Sequence, residues 1–259
     1  MKNEALVANC VGTYEERVPV NALRGHFHRA WFKRYPREVP KTVQVVPDGC
    51  VDLLWCDDHF VVAGPDATAA SSNSRSGGFV LGIRFKPGAA RRWLDMPMTE
   101  IVGMQVDMQD IWGQTAREIA EGMQEASGLE EQFGLLNALL AKMAPSIEPV
   151  SGEGAAIFGA LERGVGNDTG GQVDILAAGL AVSGRTLRRR SRELFGYGPK
   201  TLHRILRFQQ FMALARLPGR RGMAELASAA GYSDQAHLNR EVRALCSMTA
   251  GDLVRQIAS

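Results

Sequence analysis

The chain has 259 residues, of which 45% are apolar and 22% are charged, and this is the balance of a globular protein with room for two domains. These proportions exclude fibrous and disordered classes, and the apolar stretches, such as 171–182, are too short and too interrupted for a membrane helix. The N-terminus lacks the apolar core of a signal peptide. Four cysteines do not form a disulfide framework in a chain of this length. We therefore expect a reduced, cytoplasmic protein.

Charge is distributed unevenly along the chain. Residues 172–259 contain 14 Lys and Arg against 6 Asp and Glu, a net charge of +8, whereas residues 1–171 carry a net charge of −6. Thirteen of the 14 basic residues are arginine, whose planar guanidinium group suits phosphate and guanine. This asymmetry indicates a nucleic-acid-binding C-terminal part. A genome rich in GC would also favour arginine, so the positions of these residues within motifs must decide.

Residues 1–88 have the pattern of short strands separated by turns. The strand-like segments are 42–46, 50–55, 60–64 and 79–85. Two of them flank the Asp57-Asp58 turn with the spacing of a hairpin. Short strands with regular turns predict a small antiparallel sandwich or barrel.

From residue 89 onward the apolar spacing becomes helical. Helices are predicted over 107–128, 129–144 and 155–164, with a linker rich in proline and glycine over 145–154. In the second helix a narrow apolar seam predicts domain core in preference to a dimer interface. The seam consists of Leu129, Phe133, Leu136, Leu140 and Met143.

An internal repeat in the basic region is the most informative motif. One copy covers 176–189 and the other 226–240, and each begins with Leu-Ala and has a serine seven residues later. Each copy predicts a helix, a tight turn and a second helix capped by that serine, Ser183 or Ser233. The sequence therefore predicts two helix-turn-helix units. A long helix over 199–217 would join them.

The second helix of each unit has a leucine edge opposite a polar edge, at 100° per residue. Leu187 and Leu238 mark the buried edges. The candidate DNA-binding residues lie on the outward edges and on the joining helix. They are Arg185, Thr186, Arg188, Arg189, Arg192, Lys200, Arg204, Gln235, Ala236, Asn239, Arg240 and Arg243.

These residue types divide into two kinds of DNA contact. Lys200 and Arg204 are expected to contact phosphates, which sets register and makes binding salt-dependent. Arginine prefers guanine and Asn or Gln prefers adenine, so the outward edges would contact base edges in successive major grooves, roughly 34 Å apart. Ala236 offers only a methyl group, so fewer base contacts are expected from the second unit.

Residues 172–257 resemble the DNA-binding domain of the AraC/XylS family of bacterial transcription regulators. The matching positions are Ser183, Arg185, Leu187, Arg189, Phe195, Gly196, Gly198, Pro199, Arg207, Ala213, Ala227, Gly231, Tyr232, Ser233, Leu238 and Arg240. The resemblance implies a sequence-specific transcription regulator that binds double-stranded DNA, with RNA polymerase and a second copy of the chain as further partners. Ser191 and Val242 stand where the family usually has phenylalanine, so looser cores are expected at both positions.

The N-terminal part resembles a less characterised domain found on some AraC-type regulators. The segments that carry this resemblance are 47–53, 63–65, 82–90 and 110–113. It implies a domain that binds a small-molecule effector or dimerises. Two alternatives stay open: a regulator controlled by a partner protein, and an enzyme that acts through Cys50 or Cys56.

We expect an α+β protein with three parts. Residues 1–150 form a sensing and dimerisation domain, β-rich over 1–88 and helical over 89–144; residues 151–171 form a linker, and residues 172–259 form an all-α DNA-binding domain. No cofactor and no catalytic residue are predicted.

No metal site is predicted either. His26 and His28, with Cys50 or Cys56, lack a recognised metal-ligand spacing. The four tryptophans are interpreted as core.

Overall fold

The computed structural model describes residues 6–40, 42–73, 77–148, 150, 152–164, 172–219 and 221–257. The chain is α+β, as predicted, with strands in the N-terminal part and a helical C-terminal part. The strands are β1 (Leu6–Val7), β2 (Thr13–Arg17), β3 (Phe27–Arg34), β4 (Thr42–Val45), β5 (Asp52–Cys56), β6 (His59–Ala63), β7 (Ala70–Asn73), β8 (Phe79–Phe85) and β9 (Gln105–Asp107). The α-helices are α1 (Ala90–Leu94), α2 (Met108–Trp112), α3 (Gln114–Glu125), α4 (Leu129–Met143), α5 (Gly152–Arg163), α6 (Gln172–Gly179), α7 (Gly184–Phe195), α8 (Pro199–Arg216), α9 (Met223–Ala229), α10 (Gln235–Cys246) and α11 (Ala250–Ile257).

Six strands form an antiparallel sheet in the order β2-β3-β8-β5-β6-β9, and β1, β4 and β7 form a smaller sheet. The predicted hairpin is confirmed: β5 pairs with β6, and Cys56 lies opposite His59. Asp57 and Asp58 make the turn with φ angles of 50° and 63°, a left-handed conformation that aspartate tolerates. The predicted strand over 79–85 is β8, which lies between β3 and β5.

One face of the six-stranded sheet is buried beneath α1, α3 and α4. Phe32, Leu53 and Leu81 project from this face and are at most 2% exposed. The predicted seam of α4 joins the same core, in which Leu136 and Leu140 are buried. Alternating side chains on the strands therefore explain the burial of this face.

The predicted single helix over 107–128 is wrong. Residues 105–107 form β9, and two helices follow, separated by Gly113, whose φ of 55° and ψ of −122° favour glycine. Asp107 caps α2, because its side chain accepts a hydrogen bond from the backbone N–H of Gln109. A continuous apolar period concealed this break.

Helices α5, α7, α9, α10 and α11 pack around α8 and form a second core with it. Ile157 and Leu161 of α5 are buried in it, although the sequence placed this helix in the linker. The contribution of α5 explains why α8 can bury side chains on more than one of its faces, including Leu202, Phe208 and Phe211.

Several segments of the N-terminal domain contact the C-terminal helices. The backbone N–H of Ala69 donates to the carbonyl oxygen of Leu245 at 2.6 Å, and Nε2 of Gln209 donates to the carbonyl oxygen of Pro47 at 2.6 Å. The side chain of Gln256 accepts from the backbone of β1 at 2.9 Å. The loops that follow β4 and β6 thus attach to α8 and α10, and β1 attaches to α11.

Arg84 of β8 anchors the first of these loops. Its Nη2 lies 2.8 Å from an oxygen of Asp48 and 2.8 Å from an oxygen of Asp52. Between them, Gly49 has a φ of +78°, and a Cβ there would lie 3.1 Å from Cδ1 of Leu202 in α8. The ion pairs therefore hold a left-handed glycine against the C-terminal domain.

Gly82 of β8 lies beneath the indole of Trp31, and a Cβ at this position would lie 2.2 Å from Cε2 of that ring. We predict that Gly82→Ala lowers the free energy of unfolding by about 2 kcal/mol, because the half-buried indole of Trp31 packs on this position and must shift. Gly134→Ala is the matched control. No atom lies within 4 Å of a Cβ at that helical position, so the substitution should raise stability by up to about 1 kcal/mol. Urea denaturation measures both, and equal midpoints for the two variants would contradict the packing described.

Asp66 lies in the loop after β6, through which the N-terminal domain contacts the C-terminal end of α7 and α10. Burial, together with the nearby Asp48 carboxylate, raises the pKa of Asp66 to about 6. The folded state then holds this proton more tightly than the unfolded state, so stability falls as the pH rises from about 4 to about 6.

Asp66→Asn removes this electrostatic penalty, since the amide has no charge to desolvate. We expect the variant to exceed the wild type in unfolding free energy by about 1 kcal/mol above pH 6, and to converge with it near pH 4. Urea midpoints from pH 4 to 8 measure the difference. A difference that does not change with pH would contradict the assignment.

Candidate nucleic-acid interface

The first helix-turn-helix unit consists of α6 and α7. Ala181 occupies the turn with a φ of 52°. Ser183 is the cap of α7, as predicted, since its Oγ accepts from the backbone N–H of Thr186 at 3.1 Å. The hydroxyl of Thr186 lies 2.9 Å from Ser183 Oγ, so this side chain takes part in the cap.

Helix α7 has one buried edge and one exposed edge. Leu187 and Phe195 are buried, and the side chain of Glu193 lies 3.0 Å from Nη1 of Arg189 on the outward side. Four of the five predicted residues on this helix are exposed, and Thr186 is half-buried. The exposed residues are Arg185, Arg188, Arg189 and Arg192.

The two positions where phenylalanine was expected are buried in the core. Ser191 is fully buried, and its hydroxyl donates to the carbonyl oxygen of Tyr197 at 2.8 Å. Val242, the corresponding departure in the second unit, is also fully buried. Both departures therefore lie inside the core and are closed to solvent, and the hydroxyl of Ser191 has a hydrogen-bond partner there.

The second unit consists of α9 and α10, with Gly231 in the turn at a φ of 78°. The predicted cap is wrong here: Asp234, not Ser233, caps α10, and its carboxylate accepts from the backbone N–H of His237 at 2.6 Å. This bond lowers the pKa of Asp234, because it stabilises the charged carboxylate. Ser233 contacts the imidazole of His237 instead, at 3.1 Å.

Helix α10 also has a buried and an exposed edge. Leu238 and Leu245 are buried against the second core. The exposed predicted residues are Gln235, Ala236, Arg240 and Arg243. This edge carries two arginines where α7 carries four.

Asn239 differs from the other predicted residues, because both ends of its amide are bonded within the domain. Its Oδ1 accepts from the backbone N–H of Ala250 at 3.1 Å, at the start of α11, and its Nδ2 donates to the carbonyl oxygen of Gln235 at 3.2 Å. The geometry gives Asn239 the role of linking α10 to α11.

The joining helix carries one exposed and one paired cation among the predicted residues. Lys200 is exposed in the first turn of α8. Arg204 pairs with Glu241 of α10 through a 2.8 Å contact. Arg207 lies beneath the turn of the second helix-turn-helix unit, with its guanidinium 4.6 Å from the ring centre of Tyr232. Sequence reasoning missed Glu241, because only the fold brings α8 and α10 together.

Residues 176–256 match a family model described as a helix-turn-helix domain, and residues 15–107 match one described as a domain of unknown function (DUF6597). The first match spans α6 to α11 and therefore includes both units and α8. The C-terminal domain is an AraC-type helix-turn-helix domain. Such a domain makes the chain a DNA-binding transcription regulator.

Solved structures of AraC-type regulators are similar to the chain at low identity. A transcriptional regulator with an AraC-type DNA-binding domain from Chromobacterium violaceum is 20% identical, with a TM-score of 0.37, over 40% of this chain and 91% of that one. Apo ToxT from Vibrio cholerae is 11% identical, with a TM-score of 0.44, over 95% and 96%. ToxT bound to an unsaturated fatty acid is 10% identical, with a TM-score of 0.44, over 89% and 91%. None of the curated proteins compared with this chain matches it.

The cysteine and histidine candidates are not brought together. Cys56 is the last residue of β5 and Cys50 precedes this strand, so the extended strand alone separates them by more than the distance of about 7 Å between Cα atoms that a disulfide spans. Burial raises the pKa of the Cys56 thiol to about 11 and also raises that of Cys50, so both thiols are protonated at neutral pH. Across the described ranges, no three His, Cys, Asp or Glu side chains are placed to hold a metal ion.

Three of the four tryptophans lie in or against the N-terminal core. Trp55 and Trp93 are buried in it, and Trp112 packs against it. None of the helices in the described part of the chain has both the length and the apolarity needed to cross a bilayer.

The position of Asn239 gives a stability prediction. Asn239→Ala removes both internal hydrogen bonds and leaves the buried backbone N–H of Ala250 without this acceptor, so we expect a loss of about 1 kcal/mol in unfolding free energy. Gln235→Ala, on the exposed edge of the same helix, is the control and should change stability by less than about 0.5 kcal/mol. Thermal or urea unfolding distinguishes them, and an Asn239→Ala variant as stable as the wild type would refute the linking role.

Proposed function

We propose that this transcription regulator binds DNA by placing α7 and α10 in two successive major grooves. The observation that carries the proposal is the repeated construction of the two units. In each, a side-chain cap begins a helix whose leucine edge is buried and whose basic edge is exposed. Because α8 contacts α7, α9 and α10, it would hold the two helices at one separation, as binding about one helical turn apart requires.

The preference for a DNA sequence comes chiefly from α7. Arg185, Arg188 and Arg189 can each donate paired hydrogen bonds to guanine, and a good bidentate pair discriminates by roughly 1–3 kcal/mol. The group of base pairs that α7 contacts, which we call the α7 block, should therefore be rich in guanine. On α10, Gln235 suits adenine and Arg240 suits guanine, so its block should be less stringent.

Phosphate contacts supply the part of affinity that is independent of sequence. Lys200, Arg192 and Arg243 are exposed, and we assign them to this role. Arg204 was expected to share it, but its pairing with Glu241 already satisfies part of its charge, so we assign it to the link between α8 and α10. Each phosphate contact makes binding weaker as salt rises.

We further propose that the N-terminal domain controls the regulator in response to a small-molecule effector. The sheet face opposite the buried core offers recognition groups: the rings of Tyr14 and Trp31 lie 5.8 Å apart, beside Arg29 and Arg84. Arg84 also holds the loop that meets α8, which would connect that face to the DNA-binding domain. The raised pKa values of Cys50 and Cys56 keep both thiols protonated, which gives the cysteine-dependent enzyme alternative no support.

Selection of binding sites from a random duplex library tests the proposal. The full chain should enrich sites with two blocks about one helical turn apart, the block bound by α7 being rich in guanine. A single enriched block, or no enrichment, would contradict binding through both units.

Substitutions on the selected duplex assign the residues. Arg189→Ala should relax base preference in one block only, with a loss of roughly 1–3 kcal/mol of discrimination, because a bidentate contact is removed. Lys200→Ala should weaken binding to all sequences alike and reduce the salt slope by about 1. Arg255→Ala, an exposed cation of α11 paired with Asp252, is the control and should leave both properties unchanged. Fluorescence anisotropy with single-base variants measures all three, and an unaltered preference in Arg189→Ala would remove Arg189 from the base contacts.

A further inference from the structure

A small cavity lies where the N-terminal domain, α5 and α7 meet. Its volume is about 80 Å³, which is room for two or three water molecules or one small ion, since a water occupies about 30 Å³ of liquid. Residues of α1 and the turn before it, of the first turn of α5 and of the second half of α7 line the cavity. The side chain of Arg92, which pairs with Glu148, is one of them and is exposed, so the cavity reaches the surface.

Two buried glycines form one wall of the cavity. Gly88 has a φ of +83°, which favours glycine. A Cβ on Gly154 would lie 2.7 Å from the carbonyl oxygen of Pro87 and 3.1 Å from Cα of Gly88. The start of α5 therefore packs backbone to backbone on the turn before α1, and on this side no side chain fills the cavity.

Arginine supplies most of the charge in the lining. Arg91 and Arg92 of α1 and Arg190 of α7 line the cavity, together with the carboxylates of Glu153 and Glu193. Three cations against two anions leave one positive charge. An anion inside the cavity would therefore neutralise its lining.

The unbalanced charge belongs to Arg91. Arg190 pairs with Glu153, and Glu193 pairs with Arg189 at 3.0 Å. Arg91 is half-buried and has no carboxylate partner among the described residues, and its buried Nε has no hydrogen-bond partner there. A guanidinium left in this state costs free energy, which a bound anion would recover.

The start of α5 adds positive potential on the same side. Glu153 and Gly154 belong to the first turn of this 12-residue helix and line the cavity. The first N–H groups of a helix have no intrahelical acceptor and attract anions. Arginine pairs with phosphate through two parallel hydrogen bonds, so the lining has the chemistry of a phosphate site.

The cavity is separate from the outward edge of α7. Arg190 follows the buried Leu187 by three residues, so the two side chains project about 60° apart. Arg192 of the outward edge projects about 160° away from Arg190. A group held at Arg190 therefore leaves the outward edge uncovered.

We propose that this cavity binds a phosphate group, either inorganic phosphate or the phosphoryl group of a small metabolite, with Arg91 as its principal partner and Arg92 and Arg190 beside it. Arg91 belongs to the N-terminal domain and Arg190 to α7, so the bound group connects the two domains. The inference goes beyond the proposed function and does not depend on it, because the site needs no DNA.

Equilibrium dialysis of the full chain against radiolabelled inorganic phosphate, at constant ionic strength and without DNA, tests the site. We expect saturable binding of one phosphate per chain. Arg91→Gln should weaken this binding by about tenfold, because a charge and paired donors are lost together. Arg188→Gln removes the same charge from the exposed edge of α7, and this matched control should bind phosphate as the wild type does.

Glu153→Gln should change the affinity in the opposite direction. It removes a negative charge from the lining and releases Arg190 from its ion pair, so we expect phosphate to bind about threefold more tightly. A gain in affinity cannot arise from loss of folding. Unlabelled glycerol phosphate identifies the source: competition at equal concentration supports a phosphorylated metabolite, and no competition supports the free ion.

Four results would overturn the inference. The first is the absence of saturable binding by the wild type, and the second is equal affinity in Arg91→Gln and the wild type. The third is an equal loss in Arg91→Gln and Arg188→Gln. The fourth is displacement of phosphate by the selected duplex, which would place the ion on the outward edge of α7. None of these results would alter the selection of two-block sites, so the proposed function is tested separately.

Discussion

Packing around α8 is the constraint on which the arrangement of the DNA-binding domain depends. Its apolar side chains meet α5, α7, α9, α10 and α11, so α7 and α10 are both fixed to one helix. Arg207 lies under the ring of Tyr232 and Arg204 reaches Glu241, which adds polar ties on the side of the second unit. The separation of the two basic edges follows from this core and not from the loops that connect the helices.

Helix α8 also contacts the N-terminal domain. Gln209 of α8 donates to the loop after β4, and Leu202 packs against Gly49 of that loop. Arg84 ties the loop to the sheet through Asp48 and Asp52. A continuous set of contacts therefore runs from the polar sheet face to the helix that positions both DNA-binding units. Any ligand that redirects Arg84 would act on this connection.

Much of the C-terminal domain could be predicted because its determinants are local. Capping, the leucine edges and the repeat depend on residues a few positions apart, and the structure confirms the cap at Ser183 and the burial of Leu187 and Leu238. The error at Ser233 arose where two capping residues are adjacent: Asp234 supplies the oxygen, and sequence spacing alone cannot choose between them.

Other features depend on contacts between distant segments. The amide of Asn239 accepts a hydrogen bond from the start of α11, and Arg204 forms an ion pair with Glu241. Both residues nevertheless have the type and position expected of DNA contacts. The break at Gly113 was hidden by a continuous apolar period. The approach of Pro97 and Val102 to α7 requires the docking of two domains, which no local pattern encodes.

Methylation interference on a bound duplex tests the central claim most directly. Methylation of guanine N7 blocks the major-groove atom to which arginine donates. Binding through α7 and α10 predicts two patches of interference on one face of the duplex, about one helical turn apart, with the stronger patch under the four-arginine edge. Interference confined to one patch, or two patches on opposite faces, would contradict a rigid pair of recognition helices.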